Sequence, residues 1–157
     1  MRTFKFLIFC IILFSIIACN EDIDQLPLSI YGTWESQHHQ GQNEETIHSY
    51  SFLEDGTFEY AAFTRDIGSL EKIGYVIVTM GNFRIENNIL ITFDQEVHVS
   101  QGDELFVPKE ELVKLPDIWQ EGRRPFQLEN NNTRLILEDE CLSDNCTPDS
   151  QIYVKVG

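Results

Sequence analysis

Positive charge is scarce in this chain of 157 residues, where 11 Lys and Arg stand against 26 Asp and Glu for a formal charge of −15. A field of that sign repels phosphate backbones and anionic head groups, which argues against nucleic acid as a partner and favours solubility. Catalytic signatures are missing too: there is no G-x-S-x-G elbow, no phosphate-cradling glycine loop and no H-E-x-x-H. Carboxylates are plentiful, but no pair is set in an apolar stretch that would raise one pKa. The chain therefore reads as a non-enzyme, with no catalytic residue and no cofactor. Helical periodicity is weak beyond the N-terminal segment, which excludes an all-α fold.

Long apolar runs are absent except for one, in "FLIFCIILFSIIACNEDID", residues 6–24. As a helix, residues 6–18 would cover roughly 20 Å, short of the ~30 Å hydrocarbon core. Arg2 and Lys5 supply the positive flank of a secretory signal, and the run has the length of its apolar region. The run ends in Ile16-Ile17-Ala18-Cys19, which resembles the lipobox of bacterial lipoproteins. The resemblance implies lipidation of the Cys19 thiol and cleavage before it, hence a stable membrane anchor carrying acyl chains of the palmitate type. The expected organisation is a signal peptide over residues 1–18, a lipidated acidic tether over 19–29 and one folded domain over 30–157. The location is the cell envelope, anchored to the outer membrane on its periplasmic or surface face. The acidic stretch after Cys19 also resembles the surface-export signal of lipoproteins from Bacteroidetes-type bacteria.

Loss of the leader removes Arg2 and Lys5 but no acid, so 11 basic residues become 9 and the formal charge falls from −15 to −17. Of the 4 cysteines, Cys10 leaves with the leader and Cys19 is lipidated. Cys141 and Cys146 remain in "CLSDNC", and a lone pair in an exported chain suggests a disulfide closing a small loop over Asp144-Asn145. A metal half-site there would need further soft ligands, and none are evident.

Short aromatic and β-branched runs separated by Asn, Asp and Gly read as strands. Pairing of apolar residues selects the turn lengths, because a one-residue slip flips a whole face. In "YSFLEDGTFEY" a three-residue loop, Glu54-Asp55-Gly56 with Gly56 left-handed, pairs Phe52 with Phe58 and Tyr50 with Tyr60. In "NFRIENNILITF" the same test favours a Glu86-Asn87-Asn88 loop, which places Phe83, Ile85, Ile89, Ile91 and Phe93 on one face. In "PFQLENNNTRLIL" a four-residue loop, residues 130–133, aligns Phe126 and Leu128 with Leu135 and Leu137. Adding strands at residues 30–37, 74–79, 97–99 and 151–156 brings the expected count to about eight to ten. The expected fold class is all-β, an antiparallel up-and-down barrel whose closure removes exposed edges.

"SIYGTWES" carries Gly32-x-Trp34 on the first strand, followed by "YSFLEDGTFEY", "GNFRIENNILITF" and a closing "IYVKV". In order and spacing this resembles the bacterial lipocalin-like lipoproteins. The resemblance implies a lipocalin-like β-barrel opened by the G-x-W strand, with the Trp plugging its closed end. Residues 94–124 have no clear counterpart in that pattern. Within them Pro108, Glu110, Glu111, Lys114 and Pro116 read as a short helix of about two turns. Leu112, Leu115, Ile118 and Trp119 would form its apolar underside, covering either a barrel mouth or simply more core, with Arg123 and Arg124 as rare positive charges that would meet an anionic group in the first case and pair with surrounding acids in the second.

Tyr50, Phe52, Phe58, Tyr60, Phe83 and Phe93 fall on faces expected to turn inward. Barrels of about eight strands can be filled or can hold one small ligand. The expected ligand-binding residues are Tyr50, Phe52, Phe58, Tyr60, Phe83, Trp119 and Arg123, facing a small, partly apolar ligand. The alternative is a filled barrel acting as an interaction module for another envelope protein. His38, His39 and His48 flank the loop between the first two strands. His38 and His39 point to opposite faces if the strand continues, so at most one can join His48; as solvated loop histidines they carry no metal assignment.

Overall fold

The computed structural model describes residues 30–116, 121–139 and 149–157. Nine strands follow in chain order: β1 (Gly32–Gln40), β2 (Glu44–Phe52), β3 (Thr57–Asp66), β4 (Lys72–Glu86), β5 (Ile89–Val99), β6 (Val113–Lys114), β7 (Gly122–Glu129), β8 (Arg134–Glu138) and β9 (Ser150–Val156). Every pairing is antiparallel, and β1–β2–β3–β4–β5–β7–β8–β9–β1 closes a ring. The two-residue β6 lies beside the end of β5, on the edge that β7 occupies at its start. This is an up-and-down barrel, and closure leaves no long free edge around most of its girth.

Alternation along each strand separates two faces. Inward side chains from all eight ring strands build the core: Trp34, Phe52, Phe58, Phe83, Leu90, Phe126, Leu135, Leu137 and Tyr153, with Ile30 entering from the N-terminal side. Trp34 is wholly buried, its indole N–H donating to the Ile30 carbonyl at 2.7 Å. Two residues before it, Gly32 has φ 115°, and a Cβ there would lie 3.0 Å from Lys155 Cε, whose ammonium sits 5.1 Å from the Trp34 ring. The Gly32-x-Trp34 spacing thus has a local cause in backbone hand and close approach.

Two hairpins have the expected registers. Phe52 faces Phe58 and Tyr50 faces Tyr60, across a loop in which Gly56 has φ 83°. Phe126 faces Leu137 and Leu128 faces Leu135, with Asn130, Asn131 and Asn132 all left-handed. The middle hairpin differs. Glu86 pairs with Ile89 and Ile85 with Leu90, so the loop is only Asn87-Asn88, both with positive φ (50° and 62°). Two successive left-handed residues make the primed turn whose twist matches the strands, and asparagine tolerates that conformation at both positions. Phe83 and Ile85 therefore face inward with Leu90, whereas Ile89, Ile91 and Phe93 turn outward, and Arg84 lies 5.1 Å from the Phe93 ring.

The expected two-turn helix is a single 3₁₀ turn, Lys109–Glu111, followed at once by β6. Backbone pairing explains this: Val113 and Lys114 bond to β5, and the Leu115 N–H donates to the Val97 carbonyl at 2.8 Å. Nor does this connection cover a mouth with Leu112. Val107 bridges to Tyr75, Lys109 reaches Glu59 at 2.9 Å, and Leu112 packs on Ile47, Ala61, Phe63 and Val78. Those residues alternate with the inward set on β2 and β3, so residues 100–116 form a strap on the outer wall.

Asn87→Val should lower unfolding stability by about 1–2 kcal/mol, the cost of a left-handed β-branched residue, while Asn87→Gly should not lower it. Urea unfolding of both variants measures this, and a neutral Asn87→Val would restore the three-residue loop.

Candidate functional site

The barrel interior divides into two halves. One half is closed by rings in mutual contact: Phe52 and Phe83 meet edge to face at 5.0 Å, Tyr50 stacks parallel to Phe52 at 5.5 Å, and Tyr50 meets Tyr60 at 4.8 Å. Above that floor a cavity of about 140 Å³ remains, lined by Tyr50, Phe58, Tyr60, Thr79, Leu90, Thr92, Gln95, Gly122 and Arg124. Its walls are polar on β4, β5 and β7, where threonine, glutamine and glycine replace the bulky residues of the closed half. Gly122 matters to that space, since a Cβ there would lie 2.7 Å from Thr92 Oγ1.

Arg124 is the cavity's one positive group among the lining residues. It shares the inward face of β7 with Phe126 and pairs with Leu90 of β5. Its Nη2 donates to Asp139 at 2.8 Å, and longer contacts of 3.4 Å run from Nη1 to the Tyr50 hydroxyl and from Nε to the Glu138 carbonyl. Asp139 is the more exposed partner, so the guanidinium is oriented from the rim and held against the phenol inside. Gln95 donates to Thr92 Oγ1 at 3.1 Å.

Burial raises the Tyr50 phenol above its ordinary pKa, with Arg124 opposing the shift. Burial also pushes Tyr60 up to about 12, helped by Tyr50. The Tyr153 phenol is raised too, chiefly by burial, and donates to Gln151 at 2.7 Å. His48 shows the opposite sense: burial, then the neighbouring His38, lowers it to about 4. Its Nδ1 is 2.9 Å from the Tyr60 hydroxyl. At neutral pH the cavity thus offers the neutral phenols of Tyr50 and Tyr60, which donate and accept hydrogen bonds, and one guanidinium, which only donates.

Of the residues expected to meet a ligand, Tyr50, Phe58 and Tyr60 line the cavity together. Phe52 and Phe83 lie in the aromatic floor. Arg123 points outward, paired with Glu121 at 2.9 Å. Trp119 lies outside the described residues, as do Cys19, Cys141 and Cys146. The sequence offers both Arg123 and Arg124 to an anionic group, and strand parity with Phe126 marks Arg124 as the inward one; Thr92 and Gln95 carry no such signal.

Because the native pKa of His48 lies below the ordinary 6.5, the unfolded chain binds more protons between about pH 6.5 and 4. This group's contribution should therefore destabilise the fold as pH falls through that window. Urea unfolding from pH 7 to 4 should show a shallower loss for His48→Gln than for the unaltered protein, with NMR titration placing the His48 midpoint near 4.

Comparison with known proteins returned no matching family model, no matching curated protein and no matching solved structure.

Proposed function

We propose that this protein is a lipid-anchored, lipocalin-like binding protein of the bacterial cell envelope that takes one small, partly apolar ligand into its barrel. The observation that carries the reading is the 140 Å³ cavity between an aromatic floor and the Arg124, Gln95, Thr92 and Tyr60 walls. A cavity near 150 Å³ admits a benzene-sized molecule, whereas ordinary ligand pockets run from about 300 Å³ upward. The ligand class is accordingly a single ring or short chain bearing a hydrogen-bond acceptor, too small for a long acyl chain. The ring resting on Tyr50 and Phe58 would bury its apolar face, with its acceptor meeting the donors above.

A second reading has its own support. The closed aromatic floor leaves much of the barrel filled, and the outer wall carries a groove of about 450 Å³ where Leu53 and Met80 are exposed beside Glu59, Asp94 and Glu96. A filled barrel presenting that groove would serve as an interaction module for an envelope protein.

Native mass spectrometry of the protein from its own envelope, beside its denatured mass, distinguishes the two. A mass excess of about one small ligand, lost on denaturation and absent from Thr92→Phe, is the expected result. No excess, with Trp fluorescence unmoved by small aromatic and acyl probes, would leave the interaction module as the function. The anchor has its own check: Cys19→Ala should abolish incorporation of labelled palmitate and move the protein from the membrane to the soluble fraction.

A further inference from the structure

β1 and β2 pair regularly through Ser36 with His48 and Gln37 with Ile47, and then the register jumps to His39 with Thr46. His38 is the extra residue of that β-bulge, and a bulge of this kind re-aims a side chain out of the regular ladder. The result is an imidazole pair: the His38 and His48 rings stack with centroids 3.7 Å apart and planes 25° from parallel. Both are strand residues, His48 half-buried on the inward face of β2 and His38 exposed on β1. The Tyr60 hydroxyl occupies Nδ1 of His48, while His48 Nε2 and both ring nitrogens of His38 make no hydrogen bond among the described residues.

We infer that His38 and His48 form the protein half of a divalent transition-metal site in the polar half of the barrel, with Tyr60 as the positioning residue for His48. The chemistry of the donors selects the ion class, since imidazole suits copper, zinc and nickel rather than magnesium or calcium. Two nitrogens bound to one ion at about 2.0–2.1 Å lie roughly 3–3.4 Å apart; in the stacked pair the in-plane lone pairs run nearly parallel, so the exposed His38 ring must turn out of the stack before its nitrogen and His48 Nε2 converge on one ion. The Tyr60 bond to Nδ1 fixes the ring's orientation and leaves Nε2 as the donor, the arrangement by which outer partners orient a metal-bound histidine.

Among the described residues no three His, Cys, Asp or Glu gather as ligands. The remaining coordination positions therefore belong to water or to a donor on a small molecule, which makes this an open site. His38 also borders a cleft of about 500 Å³ where β1 and β9 part beyond the Glu35–Val154 pair, so an ion there faces solvent. The strongly acidic chain raises the local concentration of cations around it.

The test uses the full chain without a histidine tag, titrated with Cu²⁺ and read by electron paramagnetic resonance, and with Zn²⁺ by calorimetry. One ion per chain is expected, with hyperfine coupling from two imidazole nitrogens. His38→Ala and His48→Ala should each weaken Cu²⁺ at least tenfold and leave at most one imidazole in the spectrum. Tyr60→Phe should keep both nitrogens and weaken binding about tenfold. His98→Ala, which removes a histidine paired with Glu96 on the outer wall, is the control and should change nothing. Absence of saturable binding, a spectrum of oxygen ligands alone, or binding that survives loss of His38 would overturn the site and leave adsorption on surface carboxylates. Should His48→Ala fail to fold, His38→Ala decides alone, because that side chain is exposed.

Discussion

Closure of the sheet is the constraint on which everything else depends. Once β9 pairs with β1 through Thr33 with Val156 and Glu35 with Val154, the inward side chains of eight strands share one fixed volume. That volume must be packed or occupied, since voids forfeit the contacts that stabilise a core. The closed half meets the demand with Trp34, Phe52, Phe83, Leu135, Leu137 and Tyr153. Trp34 combines bulk with a satisfied N–H, and Gly32 supplies the backbone turn that seats it.

The polar half meets the same constraint differently. Its inward positions carry hydroxyl, amide, imidazole and guanidinium groups, and no described buried side-chain polar atom lacks a hydrogen-bond partner. The phenols of Tyr50 and Tyr60 sit at the boundary, their rings in the apolar floor and their hydroxyls toward Arg124 and His48. In the binding role proposed above, hydrogen-bond pattern as well as size would select the guest, because one without an acceptor would leave the Arg124 guanidinium poorly matched.

The outer wall shows why burial alone does not reveal the inside of a barrel. Ile47, Ala61, Phe63 and Val78 are as buried as the core, yet they lie on the other face of β2, β3 and β4 and are covered by Leu112 and Tyr75. Ion pairs from Lys109 to Glu59 and from Lys114 to Glu96 clasp the covering strap to the wall. Arg65 ties β1, β2 and β3 together through Glu35 and Glu45 in the same outward layer. Exposed pairs of this kind contribute little individually, so the apolar contact under Leu112 is the stronger hold.

Local chemistry was legible where one signal dominated. The alternation of Tyr50, Phe52, Phe58 and Tyr60 about a single Gly56 admits one good register, and the Asn-rich loop after Glu129 likewise. The Asn87-Asn88 hairpin is not legible in this way, because Ile89, Leu90 and Ile91 are all apolar and hydrophobic pairing does not separate two registers one residue apart. The strap resembles a helix in sequence because Glu110, Glu111 and Lys114 satisfy helix-end rules, while the bonds that decide its conformation go to a distant edge of β5. By itself the sequence determined an all-β, acidic, hairpin-built chain with Trp34 on its first strand, because turn propensity, alternation and charge act over a few residues. Only the tertiary structure decided that Arg124 rather than Arg123 enters the chamber, that His38 lies on His48, and that residues 100–116 brace the wall. The bulge and the edge pairing join segments far apart in the chain, which no local pattern encodes, and parity along β7 tells Arg124 from Arg123 only once the inward face of that strand is fixed by its neighbours.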